Sequence, residues 1–400
     1  MARTLAELPK GTRLTDYISL GAIAAKFPVA KVHEILKQTE RTSTRQRELP
    51  AHVVVYYVIA LALYMQTSYQ EVLRCLLEGI RWLLGPNDKL KVTGKSGISQ
   101  ARSRLGPEPL QRLHDEVVKP IAQRQTRGAW YRNWKLVTVD GTTLDVADTE
   151  ENDKEFGRPP ASRGTSGFPQ VRLVSLVENG THVLFGSQIA GFRTSEGALA
   201  NVVLECLSEG MLCLADRYFF SFRRWTAVVA NPGVALLWRV KVDLVLPCIK
   251  RLGDGSYLSK IYKSAYDRQK DRKGVEVRVI EYTLEGVAEA ESVYRLMTTI
   301  LDPAQAPAKE LAALYLERWE VETALDELKT HLRGARIVLR SKKPELVRQE
   351  VYGLLLAHFA IRGLMHEAAL NADVDADQLS FLHSVHIVRR KMQRFIATPP

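Results

Sequence analysis

Three acids, and the side chains spaced around one of them, are the residues of this sequence best placed to do chemistry. Asp140 follows the apolar run Leu136-Val137-Thr138-Val139, and Asp216 follows Met211-Leu212-Cys213-Leu214-Ala215. Such runs read as strands. An acid at the C-terminal end of a strand stands in the crevice at a sheet edge, where a ligand reaches it. Two carboxylates side by side repel unless a divalent cation lies between them, and a third acid completes a two-metal site for phosphoryl transfer. The third candidate is Glu322. Counting about 100° per residue along a helix, Tyr315, Arg318, Glu322 and Lys329 share one stripe about 60° wide. That stripe borders the apolar face of Val321, Leu325, Leu328 and Leu332. By the same count Glu317 and Glu320 point away, and Asp326 competes with Glu322. The plainer reading of Arg318 and Glu322 is a helix-stabilising i, i+4 pair, and a single acid ending a strand is common.

The elements that must position these residues follow from periodicity. From Leu14 to about Ile121 the pattern is helical, with Leu61, Tyr64 and Met65, then Val72, Cys75, Leu76 and Ile80, at helical spacing. Val53 to Met65 reads as a buried helix, since 13 uncharged apolar residues are too few to span a bilayer. Between Lys89 and Lys135 stand 11 Lys and Arg against three acids. Within that basic stretch the run Ile98 to Leu105, preceded by Lys95 and carrying Arg102 and Arg104, reads equally as a DNA-recognition helix or as a solvated basic helix. At Trp134 the texture changes. Lys135 to Asp140 reads as a strand, followed by a polar loop to about Gly167. Val171 to Val177 and His182 to Ile189 form a hairpin turning at Glu178-Asn179-Gly180-Thr181. Glu196 to Leu207 is helical, Met211 to Ala215 a strand, Phe222 to Val229 a helix and Val234 to Val240 a strand. This order is what a ribonuclease H-like mixed sheet needs. Asp243 to Ile300 reads as an inserted all-β module, and a long helix runs from Pro307 to about His331.

Composition narrows the class. The 400 residues are 46% hydrophobic and 25% charged, with a net charge of +11; this is globular composition, and the basic balance favours a polyanionic partner. No signal peptide or membrane span is evident, and Cys75, Cys206, Cys213 and Cys248 read as reduced, buried thiols of a cytoplasmic protein. His383 and His386 have no acid or cysteine at ligand spacing. The loop acids Asp145, Asp148, Glu150, Glu151, Asp153 and Glu155 lack the spacing of a calcium loop. Gly164 to Gly167 lacks the Lys-Ser/Thr of a P-loop.

Tyr315, Arg318, Glu322 and Lys329 match the Y-x2-R-x3-E-x6-K signature of bacterial DDE transposases of the insertion sequence 4 family. Val139-Asp140-Gly141-Thr142 resembles the family's first-aspartate motif and Leu214-Ala215-Asp216-Arg217-Tyr218-Phe219 its second. Asn152 with Phe156-Gly157 is similar to the stretch after the first, and the helical N-terminus resembles that of one branch. The resemblance implies an α/β chain in five parts. Residues 1–130 are a helical DNA-binding domain, 131–241 the first part of a ribonuclease H-like catalytic domain, and 242–302 a β-rich insertion. Residues 303–370 are the second catalytic part with the glutamate helix, and 371–400 a basic tail. It implies that Asp140 holds both of two Mg²⁺ ions (Mn²⁺ substituting), that Asp216 holds one and that Glu322 completes the site. Tyr315, Arg318 and Lys329 would bind DNA phosphates. The partners implied are the element's terminal inverted repeats and target DNA, with a homodimer in the synaptic complex. A metal-dependent nuclease of the same fold and a domesticated, non-catalytic DNA-binding protein are the alternatives; the intact acid trio speaks against the latter. Relatives that form a DNA hairpin use a tryptophan of the insertion, and no tryptophan lies between Asp243 and Ile300, leaving Tyr257, Tyr262, Tyr266, Tyr282 or Tyr294 for stacking.

Overall fold

A computed structural model describes residues 23–43, 49–74, 76, 94–161, 164–165, 167–283, 292–335 and 337–394. Cys75 and Ile80 lie outside these. The chain begins with α1 (Val29–Gln38), α2 (Ala51–Leu63), α3 (Lys95–Leu105) and α4 (Glu108–Val117). Then come β1 (Trp130–Tyr131), β2 (Trp134–Asp145), α5 (Glu150–Phe156), the small hairpin β3 (Pro160–Ala161) and β4 (Gly164–Thr165), β5 (Gln170–Glu178), β6 (Val183–Gly191) and α6 (Glu196–Val203). They are followed by β7 (Met211–Ala215), α7 (Phe222–Val229), β8 (Ala235–Arg239), β9 (Lys250–Arg251), β10 (Tyr257–Ile261), α8 (Ala265–Gln269), β11 (Val275–Tyr282) and β12 (Tyr294–Thr298). The last part holds α9 (Ala308–Leu314), α10 (Glu320–Asp326), α11 (Pro344–Ala372) and α12 (Phe381–Arg394).

The sheet runs β6-β5-β2-β7-β8-β12-β11-β10-β9. β5 is antiparallel to both β6 and β2, and β2, β7 and β8 are parallel, which is the ribonuclease H-like arrangement. The expected β insertion is present, with one short helix (α8) among its strands. β12 pairs antiparallel with β8 through Leu296↔Arg239, Met297↔Trp238 and Thr298↔Leu237, so the insertion extends the catalytic sheet. An unpaired β8 edge would leave a row of backbone groups open, and β12 covers it.

Alternation along the central strands sends side chains to two apolar layers. Val137, Val139, Cys213, Ala215, Leu236 and Trp238 join a cluster that continues through α10, α11 and the N-terminal helices as far as Ile23. Leu136, Leu212, Leu214 and Leu237 join a smaller one closed by Leu311, Leu314 and Tyr315. α11 is buried on nearly its whole circumference and lies between the sheet and α2. At Gly353 the helices touch, for an added Cβ would come 2.8 Å from the carbonyl oxygen of Val58. The helical N-terminus therefore shares one core with the catalytic sheet. A second tie is the buried Glu178 carboxylate, which accepts from the N–H groups of Ile121 and Ala122 and lies 2.9 Å from Lys135 Nζ.

Other expectations change. The polar loop after Asp140 contains α5, capped by Thr149, and its buried Asn152 donates to the carbonyls of Ala147 and Ser341. The basic C-terminal segment is docked through α12, with Arg389 donating to Leu63 and Leu332. Cys213 is buried, whereas Cys206 and Cys248 are exposed. No helix among the described residues is long and apolar enough to cross a membrane.

Candidate active site

Asp140 does not end its strand. β2 pairs in parallel with β7 only as far as Val139↔Ala215, while its antiparallel pairing with β5 continues from Asp140↔Ser175 to Asp145↔Gln170. The sheet thus splits where β7 stops, and the next residue on each strand is an aspartate. Asp140 and Asp216 stand side by side there. Both continue the alternation of Leu136, Leu212 and Leu214, the face that Tyr315 covers. The Tyr315 hydroxyl is buried and donates to the Ala215 carbonyl, 3.2 Å away. It holds the end of β7 immediately before Asp216, and so is not turned outward toward a DNA phosphate as expected.

The helix carrying Glu322 is not uniform, which alters the angular count. Tyr315–Trp319 is a 3₁₀ segment, where about three residues make a turn, so Arg318 lies beneath Tyr315 and both are buried. From Glu327 to Leu332 the helix widens, and the Arg333 N–H reaches the carbonyl five residues back, on Leu328. Each residue there advances less than in an α-helix. Lys329 stands in this widened stretch and is half-buried. The apolar face is as read, with Val321, Leu325, Leu328 and Leu332 all buried. Arg318 donates to Glu322 Oε1 at 3.3 Å, and the Glu322 side chain is 47% exposed. Asp326 is turned elsewhere, accepting from Thr330 with His331 Nε2 at 3.4 Å.

Burial pushes the Asp140 carboxyl up to about 6. The Gly141 N–H, donating to Asp140 Oδ1 at 2.7 Å, and the Arg318 guanidinium oppose the rise, while Glu196 and Glu322 add to it. Glu322 and Arg318 are thus close enough to act on the first aspartate. Glu196, the first residue of α6, is an acid the sequence reading passed over. It packs on Gly141, whose added Cβ would come 3.2 Å from the Glu196 Cγ and Cδ, and Arg172 Nη1 is 3.6 Å from its Oε1. A glycine inside a strand directly after an aspartate is the signal that could have pointed to it, because such a glycine marks a close approach. The donors of Asp140, Asp216 and Glu322 are all carboxylate oxygens. This set, together with an aspartate whose ionisation is disfavoured by burial and, to a lesser degree, by neighbouring acids, fits a hard divalent cation.

Among the described residues the His and acid ligand atoms that lie within 4.8 Å of one another in a group of three are those of His182, Glu320 and Asp377; the carboxylates of Asp140, Asp216 and Glu322 stand further apart than that. Glu320 does point away from Glu322, yet not into solvent. It accepts from the Gly180 N–H at 2.6 Å, and burial raises its carboxyl to about 9.

Of the three N-terminal cations, Lys95 and Arg104 are exposed. Arg102 is not. It is 2% exposed and donates to Gln349 Oε1, Ser341 Oγ and the Leu346 carbonyl at 3.1, 3.2 and 2.9 Å. A guanidinium spent on α11 cannot read bases, so the recognition role expected of Arg102 is withdrawn.

A ribonuclease H-like sheet carrying two adjacent aspartates, with a glutamate helix beside them, defines a class of metal-dependent phosphoryl-transfer enzymes acting on nucleic acid. Residues 17–115 match the family profile described as insertion element 4 transposase N-terminal, and residues 135–360 that of the transposase DDE domain. The chain belongs to the DDE transposases of the insertion sequence 4 family, enzymes of DNA cleavage and strand transfer that use divalent metal. It is 29% identical over 381 residues, 92% of its length and 82% of the relative's, to the transposase InsG for insertion sequence element IS4 of Escherichia coli K12. Among solved structures it is similar to a piggyBac transposase synaptic complex with hairpin DNA, at 11% identity and a TM-score of 0.48, over 97% of this chain and 84% of that one.

Proposed function

We propose that the protein binds the terminal inverted repeats of its own insertion sequence as a dimer, cuts at the element's ends and joins them to target DNA, with Asp140, Asp216 and Glu322 as ligands of two Mg²⁺ ions. The observation that carries this reading is the split of the sheet after Val139 and Ala215, which leaves Asp140 and Asp216 adjacent. Bound there, the metal ions would supply the Lewis acidity that activates a water or 3′-hydroxyl and stabilises the leaving oxygen. The protein contributes position and charge. Tyr315 fixes the strand end that presents Asp216. Arg318 balances Glu322 in the free protein and, with Lys329, offers donors to an arriving phosphate, which forms stronger charge-assisted bonds than a single carboxylate. Exposed Lys95 and Arg104 serve as N-terminal phosphate contacts. Tyr218 and Trp319, 75% and 58% exposed and close in sequence to Asp216 and Glu322, offer rings on which an unpaired base can stack. In the insertion, Tyr266 is exposed, while Tyr282 and Tyr294 stack on each other.

The test is Mg²⁺-dependent cleavage of a labelled duplex bearing the element's ends, comparing wild type with Glu322→Gln. Loss of cutting with end binding retained is expected. A variant that cuts like wild type would make Glu322 a structural partner of Arg318. Transfer of the cut ends into a target plasmid separates a transposase from a nuclease that only cuts.

A further inference from the structure

His182 is the last residue of the turn between β5 and β6, held at φ +58° and 3% exposed. Its ring lies between two sets of groups. Nδ1 faces Glu327 Oε1 at 3.2 Å and the Arg362 guanidinium. Glu327 is also held by His358 and Arg362, and these neighbours keep its carboxyl far below the usual range despite its burial. On the other side, Nε2 is buried with no hydrogen-bond partner. It lies 3.8 Å from Glu320 Oε2 and 3.4 Å from Asp377 Oδ1.

An imidazole whose Nδ1 faces an ionised carboxylate and whose Nε2 faces two carboxyl oxygens, one of them also accepting from the Gly180 N–H, has the carboxylate–histidine–metal arrangement. Metal binding takes the tautomer in which Nδ1–H is given to Glu327 and the Arg362 guanidinium is spent on Glu327 instead of the ring; the Nε2 lone pair then faces the Glu320 and Asp377 carboxyl groups. Donor pairs 3.4 and 3.8 Å apart are near what ligands each about 2.0–2.2 Å from one tetrahedral ion require. We propose that His182, Glu320 and Asp377 bind one divalent cation of the zinc class, separate from the catalytic metals. One imidazole nitrogen with two carboxylate oxygens suits Zn²⁺ better than Mg²⁺. Asp377, with its side chain 42% exposed, leaves the site open on one side. The ion ties together three segments far apart in sequence: the Gly180–His182 turn, the start of α10 and the 3₁₀ turn Ala376–Gln378. Glu322 is two residues beyond one of the ligands, so the ion acts as a structural clamp behind the catalytic helix.

The test uses the full chain carrying Asp140→Asn and Glu322→Gln, which disables the catalytic metal site, titrated with Zn²⁺ by calorimetry and with Co²⁺ by visible absorption. One equivalent of each is expected. Asp377→Asn and His182→Asn, the latter chosen because Asn tolerates a left-handed backbone, should each weaken Zn²⁺ binding by at least about 10–100-fold, the loss typical of disturbing a metal's outer partners alone. Asp377→Asn changes a partly exposed side chain and keeps the protein folded, as circular dichroism will show. No uptake of either ion by the folded protein, or uptake unchanged by Asp377→Asn, overturns the proposal.

Discussion

Replacing Arg102 by Ala distinguishes a strut from a DNA contact. The guanidinium makes three hydrogen bonds to the stretch from Ser341 to Gln349 and stands 3.9 Å from Glu350 Oε1. Its loss strands a buried carboxylate whose remaining partners are the hydroxyls of Ser341 and Tyr69 and the Ser341 N–H. Removing one member of a buried pair costs about 3–5 kcal/mol, a large part of a total stability of roughly 5–15 kcal/mol. With an unfolding entropy of about 2.1 cal/mol/K per residue, the melting temperature of the 400-residue chain falls by roughly 4–6 °C. Thermal unfolding followed by circular dichroism measures this, with Arg104→Ala as a surface control expected within about 0.5 kcal/mol of wild type. The double variant Arg102→Met/Glu350→Gln recovers part of the loss, because no charge is then left alone. If Arg102→Ala melts like wild type but binds DNA more weakly with a shallower salt dependence, Arg102 faces DNA and its placement against α11 is wrong.

Three further outcomes follow from the site. In EDTA, the raised Asp140 carboxyl keeps a proton that the unfolded chain releases near pH 4, so its stabilising contribution is complete below that pH and is lost as pH rises through about 6. Denaturant titrations across pH 4–8 should show Asp140→Asn without that decline, and near pH 7.5 more stable than wild type by up to about 3 kcal/mol; equal pH profiles refute the assignment. Gly180→Ala places a Cβ 2.4 Å from the Arg127 carbonyl at φ +76°, and urea unfolding should report a loss of about 2–5 kcal/mol. Tyr315→Phe removes the hydroxyl's bond to the Ala215 carbonyl, costing about 0.5–1.5 kcal/mol and slowing cleavage while end binding stays unchanged; a weakened affinity with unaltered stability would instead restore Tyr315 as a DNA contact.

Local pattern carried the strands β5 to β8, the buried helix α2 and the apolar face of α10, because each repeats over enough residues to be seen without its neighbours. What escaped depended on partners distant in sequence. β2 continues past Asp140 because β5 lies beside it, and Gly141, which looks like a stop, is there to admit Glu196. The insertion joins the sheet through β12 and β8, a pairing that neither segment announces. Arg102 reads as any exposed helix cation until α11 closes over it. The angular count along the glutamate helix assumed one pitch, whereas the segment tightens at Tyr315–Trp319 and widens at Glu327–Leu332. The site residues Asp140, Asp216 and Glu322 were legible by type and spacing; the neighbours that set their charge, Glu196 above all, were not.

The seating of α2 against α11 also sets a timetable. α2 buries 11 of its 13 residues, yet Leu63 and Pro344 lie 281 positions apart. At about 5–20 residues per second, a ribosome takes roughly 15–60 s to bring one to the other. Throughout that interval a helix apolar on every side is out of the exit tunnel with its main cover still unsynthesised, a natural client for a chaperone. Chains released early, from a broken message or a premature stop, never receive that cover. Such fragments keep that apolar helix exposed, so a folded N-terminal part depends on synthesis of the chain through α11.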